Sequence, residues 1–180
     1  MSAVIVTGIS GAGKSTVASE LACRGLAVLD SDDDPWLARF VDRDGAVAEE
    51  PEAPDLAWLA EHFWNWDPAR LDELIAAAEP STLYVCGGAD NQIELASRFT
   101  HVILLVVDEP TMLARLDDPD RYNEWGRIGD TREFLRRRLR RYQDELRAFG
   151  AIPIDATQSV DQVVDAILGR TRAPPARERA

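Results

Sequence analysis

The feature that most constrains the fold is a glycine-rich octet at residues 8–15, which reads G-I-S-G-A-G-K-S. It fits the pattern G-x-x-x-x-G-K-[ST], in which successive backbone N–H groups surround phosphate oxygens. Lys14, inside the octet, is the one lysine among 20 lysine and arginine residues. The octet therefore predicts a loop in which Lys14 contacts the β- and γ-phosphates of a nucleotide and the Ser15 hydroxyl binds Mg²⁺.

The residues on either side of the octet have the pattern that such a loop requires. Residues 3–7 are a short β-branched apolar run, which is typical of a buried strand. Residues 14–24 carry apolar side chains at helical spacing, and Gly25 is placed to end that helix. A helix that begins at the loop brings the positive end of its dipole to the phosphates. We therefore expect ATP and Mg²⁺ as cofactors, with the nucleotide contacted by Gly8, Ser10, Gly11, Ala12, Gly13, Lys14, Ser15 and Thr16.

Strands and helices alternate along the rest of the chain. Apolar runs predict four further strands, and periodic patterns with caps predict helices between them. This alternation indicates an α/β protein with a five-stranded parallel sheet, covered by helices on both faces in three layers. Residues 1–170 are predicted to form one domain, and the Arg-, Pro- and Ala-rich residues 171–180 a disordered tail. The further strands are predicted at residues 25–30, 82–86, 101–107 and 151–155, and the helices near residues 35–41, 55–63, 67–78, 91–98, 110–116, 131–149 and 160–168.

Composition limits the kinds of partner. The net charge is −12, and the acidic excess is concentrated in residues 1–114, which argues against binding to bulk nucleic acid. No apolar run reaches the roughly 18 residues of a membrane span. No charged segment precedes the first apolar run, so no signal peptide is expected. We expect a cytoplasmic protein, a monomer or weak dimer, that acts on a small molecule.

Acidic residues follow the second predicted strand, where residues 30–34 read D-S-D-D-D. Alternate residues at a strand end point the same way, so Asp30 and Asp32 are expected to face the octet. One carboxylate is predicted to hold Mg²⁺ through water, and the other to orient or deprotonate an acceptor hydroxyl. The alternative is that these acids only solvate a loop or cap a helix, which is the interpretation given to Asp34.

A pair of glycines follows the third predicted strand. Gly87 and Gly88 allow the backbone to approach a ligand closely, and Asn91 offers both a donor and an acceptor. These three residues are therefore candidates for binding the acceptor. A simple turn between a strand and a helix is the alternative.

Residues 117–130 are polar, interrupted by glycine, and lie between two well-patterned helices. They contain Arg121 and Arg127, with Tyr122 and Trp125 between them. Phosphoryl transfer requires arginine or metal charge on the transferred group. The segment is predicted to be a mobile lid that brings Arg121, or alternatively Arg127, over ATP. An ordinary polar connection is the alternative, and the arginines at residues 136–141 are interpreted as a solvated helix face.

Four tryptophans precede the third predicted strand, at positions 36, 58, 64 and 66. Packing in the core or at its rim is the default interpretation of such residues. A flat wall for a ring-shaped acceptor is the more specific one.

Taken together, the octet, the Asp-x-Asp at a strand end, the glycine pair and the arginine-bearing segment resemble the small P-loop kinases over residues 3–169. Residues 25–32, which read G-L-A-V-L-D-S-D, are similar to shikimate kinases in particular. Residues 154–157 and the closing helix are similar to shikimate, nucleoside and nucleotide kinases alike. The resemblance implies the P-loop NTPase fold with a mobile lid.

The resemblance also implies roles for individual residues. Asp30 would assist Mg²⁺, and Asp32 would hold the acceptor hydroxyl. Arg115 would lie near adenine, and the loop at Thr157 would border it. Arg121 would be the catalytic arginine of the lid. The implied activity is transfer of the γ-phosphoryl group of ATP to a hydroxyl or phosphate of a small molecule.

The sequence departs from shikimate kinases at the acceptor side. Their G-E-x-x-F-R segment, whose arginine grips a carboxylate, is replaced here by an acidic, Trp-rich stretch. Arg39, Arg43 and Arg70 are possible substitutes, and nothing in their spacing selects one. A nucleoside-like or nucleotide-like acceptor therefore fits better than a carboxylate, with a shikimate-type kinase as the alternative.

Two other classes of P-loop protein bear on the interpretation. A GTPase needs an N-K-x-D motif, which a chain whose one lysine is Lys14 does not contain. A non-kinase, AAA-like ATPase is the more serious rival, because the strand before Asp108-Glu109 imitates a Walker B strand. In that case Asp108 would order Mg²⁺ and Glu109 would polarise water.

Overall fold

The computed structural model describes residues 2–121 and 123–171. Its main sheet contains five parallel strands in the order β2-β5-β1-β6-β7, and a separate antiparallel pair joins β3 to β4. The predicted α/β class and the five-stranded parallel sheet are confirmed. In chain order the elements are β1 (Ala3–Thr7), α1 (Lys14–Cys23), β2 (Ala27–Asp30), β3 (Ala38–Val41), α2 (Leu56–Glu61), β4 (Phe63–Trp66), α3 (Pro68–Ala77), β5 (Leu83–Cys86), β6 (His101–Val106), α4 (Glu109–Leu116), α5 (Thr131–Phe149), β7 (Ile152–Asp155) and α6 (Val160–Thr171).

The position of β1 at the centre of the sheet explains why its sequence is almost entirely apolar. All five of its residues are buried, because β5 and β6 flank it and both faces of the sheet are covered. Val4 and Val6 pack into a core with Leu21 of α1, whereas Ile5 packs on the other side with Leu71 of α3. Since the strands are parallel, the segments that follow them all emerge at one edge of the sheet.

The predicted helix after Asp34 is wrong, because these residues form a turn followed by β3. The Asp34 carboxylate accepts hydrogen bonds from the backbone N–H groups of Trp36 and Leu37, at 2.9 and 3.0 Å, and so caps a turn. β3 then pairs with β4, where Phe40 lies opposite Trp64. The apolar spacing of this segment suits either structure, and packing between distant aromatic residues decides for the strand.

The predicted helix at residues 91–98 is also wrong, since that region consists of turns and a short 3₁₀ helix at Ala96–Arg98. Other boundaries agree with their signals. α5 ends at Phe149, and Gly150 caps it with a left-handed φ of 104°. β7, which contains Pro153, lies at the edge of the sheet. At the start of α6 the Gln162 N–H donates to the Ser159 hydroxyl at 3.4 Å, and the Ser159 N–H donates to the Gln162 side-chain carbonyl at 3.3 Å, which makes a capping box.

α6 extends through Thr171, where the tail was predicted to begin. Residues 172–180, which make up the rest of that predicted tail, lie outside the described residues. No helix within residues 2–121 and 123–171 is long and apolar enough to cross a membrane.

Candidate active site

The glycine-rich octet forms the loop between β1 and α1. Gly11 and Gly13 have φ angles of 85° and 97°, which side chains other than glycine rarely adopt. The ammonium group of Lys14 lies against the loop and donates to the carbonyl oxygens of Gly8 at 3.0 Å and Ile9 at 3.4 Å. Burial lowers the pKa of Lys14, and the nearby carboxylates of Asp32 and Asp30 oppose that shift. A bound phosphate would therefore supply the negative charge that this buried cation lacks.

A first cavity of about 480 Å³ opens over the loop, and we call it the nucleotide cavity. It is lined by residues 10–16, by Arg115 and Arg121, and by Ala156 and Gln158. Arg115 donates to the carbonyl oxygens of Ala12 at 3.0 Å and Ala156 at 2.6 Å, and so joins the loop to the segment after β7. Thr157 is exposed, and its hydroxyl donates to Asp155 at 2.6 Å. The structure thus brings Arg115 to this cavity and leaves Thr157 just outside its lining.

A second cavity of about 510 Å³ lies on the other side of Lys14, and we call it the acceptor cavity. Four residues line both cavities: Ser10, Lys14, Asp32 and Asn123. The two cavities therefore meet at the end of the phosphate-binding loop. The acceptor cavity has an aromatic wall that includes Phe40, Trp64, Trp125, Phe134 and Tyr142, and its polar groups include Glu50, His62, Asp90, Glu124 and Arg138.

Of the two carboxylates predicted to face the loop, Asp32 lies at the junction of the cavities. Loss of surrounding water in the cleft raises the pKa of Asp32, which Lys14 opposes and Asp30 reinforces. Asp30 lines neither cavity, and its carboxylate accepts a hydrogen bond from the backbone N–H of Asp32 at 3.2 Å. Asp30 therefore contacts and orients the turn that carries Asp32.

The donors around the nucleotide cavity fit Mg²⁺. The Ser15 hydroxyl and the Asp32 carboxylate both line it, and these are the hard oxygen ligands that Mg²⁺ takes together with phosphates and water. Within the described ranges, no cluster of three His, Cys, Asp or Glu residues could hold a metal ion by itself.

The two candidate lid arginines have different places in residues 117–130. Arg121 donates to the Ser10 hydroxyl at 3.0 Å and to the Trp125 carbonyl at 2.6 Å. Arg127 donates to the Arg121 carbonyl at 2.6 Å and so braces the segment from its exposed side. The structure places Arg121, and not Arg127, against the phosphate-binding loop. Tyr122 lies outside the described residues.

Gly87, Gly88 and Asn91, the three candidates for binding the acceptor, follow strand β5 and have different surroundings. Gly88 lines the acceptor cavity. Gly87 is packed so closely that an added Cβ would lie 1.9 Å from the Ser31 hydroxyl. The Asn91 amide accepts from the Trp66 N–H at 3.0 Å and donates to the Trp66 carbonyl at 2.9 Å, away from the cavity lining. In this structure Gly87 and Asn91 therefore hold neighbouring segments together.

The four tryptophans before β5 are also divided among roles. Trp64 lines the acceptor cavity, as the more specific interpretation requires. Trp66 is buried in the core, and Trp36 is 71% exposed. Trp58 stacks on His62 with ring centroids 4.2 Å apart. One tryptophan of the four therefore forms part of the wall.

Sequence reasoning missed the polar end of the acceptor cavity. Arg138 donates to the Asp90 carboxylate at 2.5 Å, and its guanidinium lies 5.1 Å from the centre of the Phe134 ring. The other Asp90 oxygen accepts from the Trp64 N–H at 2.8 Å. Arg138 was grouped with a solvated arginine face, and nothing in the sequence separates it from its neighbours, since its environment depends on a contact 48 residues away.

Tyr142 lies one helical turn further along α5. Its hydroxyl lies 2.9 Å from that of Thr7 and accepts from the Gln92 amide at 3.0 Å. The Thr7 hydroxyl donates to the Gln92 carbonyl at 2.6 Å, which closes a small network beneath the acceptor cavity. Burial raises the pKa of Tyr142, so the phenol stays neutral and rigidly placed.

The alternative cations for a carboxylate acceptor are engaged elsewhere. Each is held in an ion pair and none lines the acceptor cavity; the pairs are Arg39 with Asp67, Arg43 with Glu61, and Arg70 with Asp34.

The supposed Walker B residues also lie away from both cavities. The Asp108 carboxylate caps α4 by accepting from the Thr111 N–H at 2.8 Å, and Glu109 pairs with Arg136. Because the two residues are occupied in this way, the ATPase alternative is not favoured.

Comparison with solved structures shows the same fold in small P-loop kinases. Deoxyadenosine kinase from M. mycoides matches with a TM-score of 0.56 and 18% identity, over 94% of this chain and 98% of its own. Shikimate kinase from Acinetobacter baumannii matches with a TM-score of 0.56 and 18% identity, over 95% of each chain. A gluconokinase from Sinorhizobium meliloti matches with a TM-score of 0.51 and 18% identity, over 94% of this chain and 92% of its own. No family model matches the sequence, and no curated protein does. The resemblance to small P-loop kinases is thus confirmed at the level of the fold.

Proposed function

We propose that this protein is an ATP-dependent kinase that phosphorylates a hydroxyl group of a small molecule. The observation that carries the proposal is the meeting of two cavities at Lys14 and Asp32. A cation and a carboxylate at such a junction are what phosphoryl transfer between two bound substrates requires. The fold shared with kinases of different acceptors supports the class of reaction but not the acceptor.

The residues at the junction divide the chemistry between them. The acceptor oxygen forms a bond to the γ-phosphorus, the bond from that phosphorus to the bridging β-oxygen breaks, and ADP leaves. The Asp32 carboxylate orients the acceptor hydroxyl and takes its proton. Lys14, Arg121 and the N-terminus of α1 place positive charge around the phosphates. Ser15 and Asp32 would hold Mg²⁺, and the ion would supply positive charge that neutralises the phosphates.

The acceptor cavity favours a nucleoside-like molecule over a carboxylate. Aromatic rings of Phe40 and Trp64 form one wall and suit a planar ring. Arg138 is the cation at the far end, and its pairing with Asp90 cancels its charge. The unpaired carboxylates of Glu50 and Glu124 also line this cavity, among the described residues. A negatively charged acceptor would meet more repulsion than attraction there, whereas a neutral ring with hydroxyls would not.

The test is whether ADP forms only when an acceptor is present. Purified protein with ATP and Mg²⁺ is offered nucleosides, nucleotides, shikimate and gluconate separately, and ADP and the phosphorylated product are measured. We expect equal amounts of both with one nucleoside-like compound, and none from Lys14→Ala. Arg140→Ala, at a side chain that is 95% exposed, is the matched control and should behave as wild type. ADP formation that ignores every acceptor would favour the ATPase class.

A further inference from the structure

We infer that Trp125 is a positioning residue that ties the placement of Arg121 to the acceptor side of the molecule. The inference rests on the proposed function and concerns the lid segment, defined as residues 117–130. Arg121 lines the nucleotide cavity, and Trp125 lines the acceptor cavity. The lid segment therefore reaches into both substrate sites.

A direct hydrogen bond joins these two ends of the lid segment. One guanidinium nitrogen of Arg121 donates to the Trp125 carbonyl at 2.6 Å, while another donates to the Ser10 hydroxyl at 3.0 Å. The fork of a guanidinium is rigid, so the position of the Trp125 carbonyl helps to fix the direction in which the fork points. A shift of the backbone at Trp125 would move the charge of Arg121 relative to the phosphates.

The Trp125 backbone is itself held on both sides. Its N–H donates to the Asn123 side chain at 2.8 Å, and the N–H of Gly126 donates to the Thr131 hydroxyl at 3.0 Å, at the start of α5. Asn123 lines both cavities. These bonds and the packing of the indole ring together place the Trp125 carbonyl.

The indole ring packs on the acceptor side. Its ring centroid lies 5.6 Å from that of Phe40, with the planes inclined by 34°. Phe40 in turn contacts Trp64 at 4.9 Å and Trp58 at 5.0 Å between centroids. Trp125 is thus the lid's member of an aromatic cluster that otherwise belongs to β3, β4 and α2. Aromatic pairs of this kind add stability beyond the area that they bury.

A second tie connects the end of the lid segment to the same region. The N–H of Asp130 donates to the Pro54 carbonyl at 2.8 Å, and the Asp130 carboxylate accepts from the Leu56 N–H at 3.1 Å. Residues 54–56 lead into α2, which carries Trp58. The acceptor-side elements therefore hold the lid segment at two places, namely at the Trp125 ring and at Asp130. A molecule that fills the acceptor cavity would pack against the Trp125 ring.

The test is a double-mutant cycle, read as ADP formation with ATP, Mg²⁺ and the nucleoside that the wild type phosphorylates in the acceptor panel described above. Trp125→Ala should lower turnover about tenfold or more, since a displacement near 1 Å of a positioned group can cost that much. Trp125→Phe, which keeps an aromatic ring, should recover most of the loss. In the Arg121→Ala background, Trp125→Ala should change turnover less than about twofold, because the two residues act as one unit. Trp36→Ala removes an exposed tryptophan and should match wild type.

Two results would overturn the inference: multiplicative losses in the double mutant, or equal effects of Trp125→Ala and Trp36→Ala. Hydrogen exchange gives a second readout that does not depend on turnover. With AMP-PNP and Mg²⁺ bound, Trp125→Ala should speed exchange at Gly126 and Arg127 and leave β1 unchanged. If the wild type formed no ADP with any acceptor of that panel, the proposed function would fall, whereas unchanged exchange in Trp125→Ala would defeat the positioning role alone.

Discussion

Replacing Gly87 by alanine should destabilise the protein and disturb Asp32 without removing any polar group. An ideal Cβ at Gly87 would lie 1.9 Å from the Ser31 hydroxyl oxygen, 2.5 Å from the Ser31 Cβ and 2.9 Å from Cζ2 of Trp66. Ser31 is fully buried and Trp66 is 1% exposed, so neither can swing into solvent. The new methyl group must therefore push the 3₁₀ turn at Ser31–Asp33 away from β5.

The magnitude follows from how far the neighbours must move. Ordinary carbon–oxygen contacts are longer than 3 Å, so the turn has to shift by roughly 1 Å or more. Overpacking of this severity costs about 3 kcal/mol. For a chain of 180 residues this corresponds to a fall in Tm of about 6 to 12 °C. Because Asp32 lies in the displaced turn, kcat should fall as well.

Two further glycines provide matched controls for this substitution. Gly169→Ala adds a methyl group in α6, where nothing lies within 4 Å, and should stabilise by up to about 1 kcal/mol. Gly88→Ala meets the Thr7 hydroxyl at 3.3 Å, so it should cost little stability but narrow the acceptor cavity. Thermal and urea unfolding of the three variants would measure the differences. If Gly87→Ala unfolded at the wild-type midpoint, the packing at Ser31 would be wrong.

The remaining predictions concern the junction of the cavities. Lys14→Ala should lower turnover by roughly 10²-fold or more in a folded protein, because a strong electrostatic contact to the transition state is lost, and circular dichroism would check the fold. Asp32→Asn should lower kcat more than it weakens ATP binding, because the proton acceptor is lost. Because the pKa of Asp32 is raised, the wild type should lose kcat on acidification at a pH above the usual range for Asp, and Asp32→Asn should not show this loss. A carboxyl whose pKa is raised in the folded state destabilises the fold as the pH rises through that pKa. Asp32→Asn should therefore be at least as stable as the wild type at neutral pH. A lower Tm of the variant at neutral pH would contradict this reasoning. Arg121→Ala should lower kcat with a smaller change in ATP affinity, because its guanidinium contacts the phosphate-binding loop. Arg127→Ala should mainly speed hydrogen exchange within the lid segment, because its guanidinium holds the Arg121 backbone. Equal losses of kcat in the two variants would argue against the assignment of Arg121.

Ligand-dependent motion of the lid segment remains a prediction from the sequence. If residues 117–130 close over bound substrates, their hydrogen exchange should slow when an ATP analogue and an acceptor bind together. The bonds of Arg121 to Ser10 and of Asp130 to Pro54 are the contacts through which closure would be maintained.

The sequence by itself determined the parts of the protein whose signals are local. The strand at residues 3–7, the glycine loop and α1 follow one another within about 20 residues, and backbone geometry dictates their order. The capping box at Ser159 and the stop at Gly150 are likewise local, since a cap depends only on residues within one helical turn. The parallel sheet was predictable because strands and helices alternate.

Only the tertiary structure decided the acceptor side. β3 occupies a segment whose apolar spacing also suits a helix, and pairing with β4 settled it. Arg138 differs from its neighbouring arginines only because Asp90 and two aromatic rings surround it. Trp125 and Phe40 meet across 85 positions of sequence, and no local pattern encodes such a contact. A phosphate site made of consecutive backbone groups can be recognised from the sequence, whereas a cavity whose walls come from segments scattered between residues 8 and 142 exists only once the chain has folded.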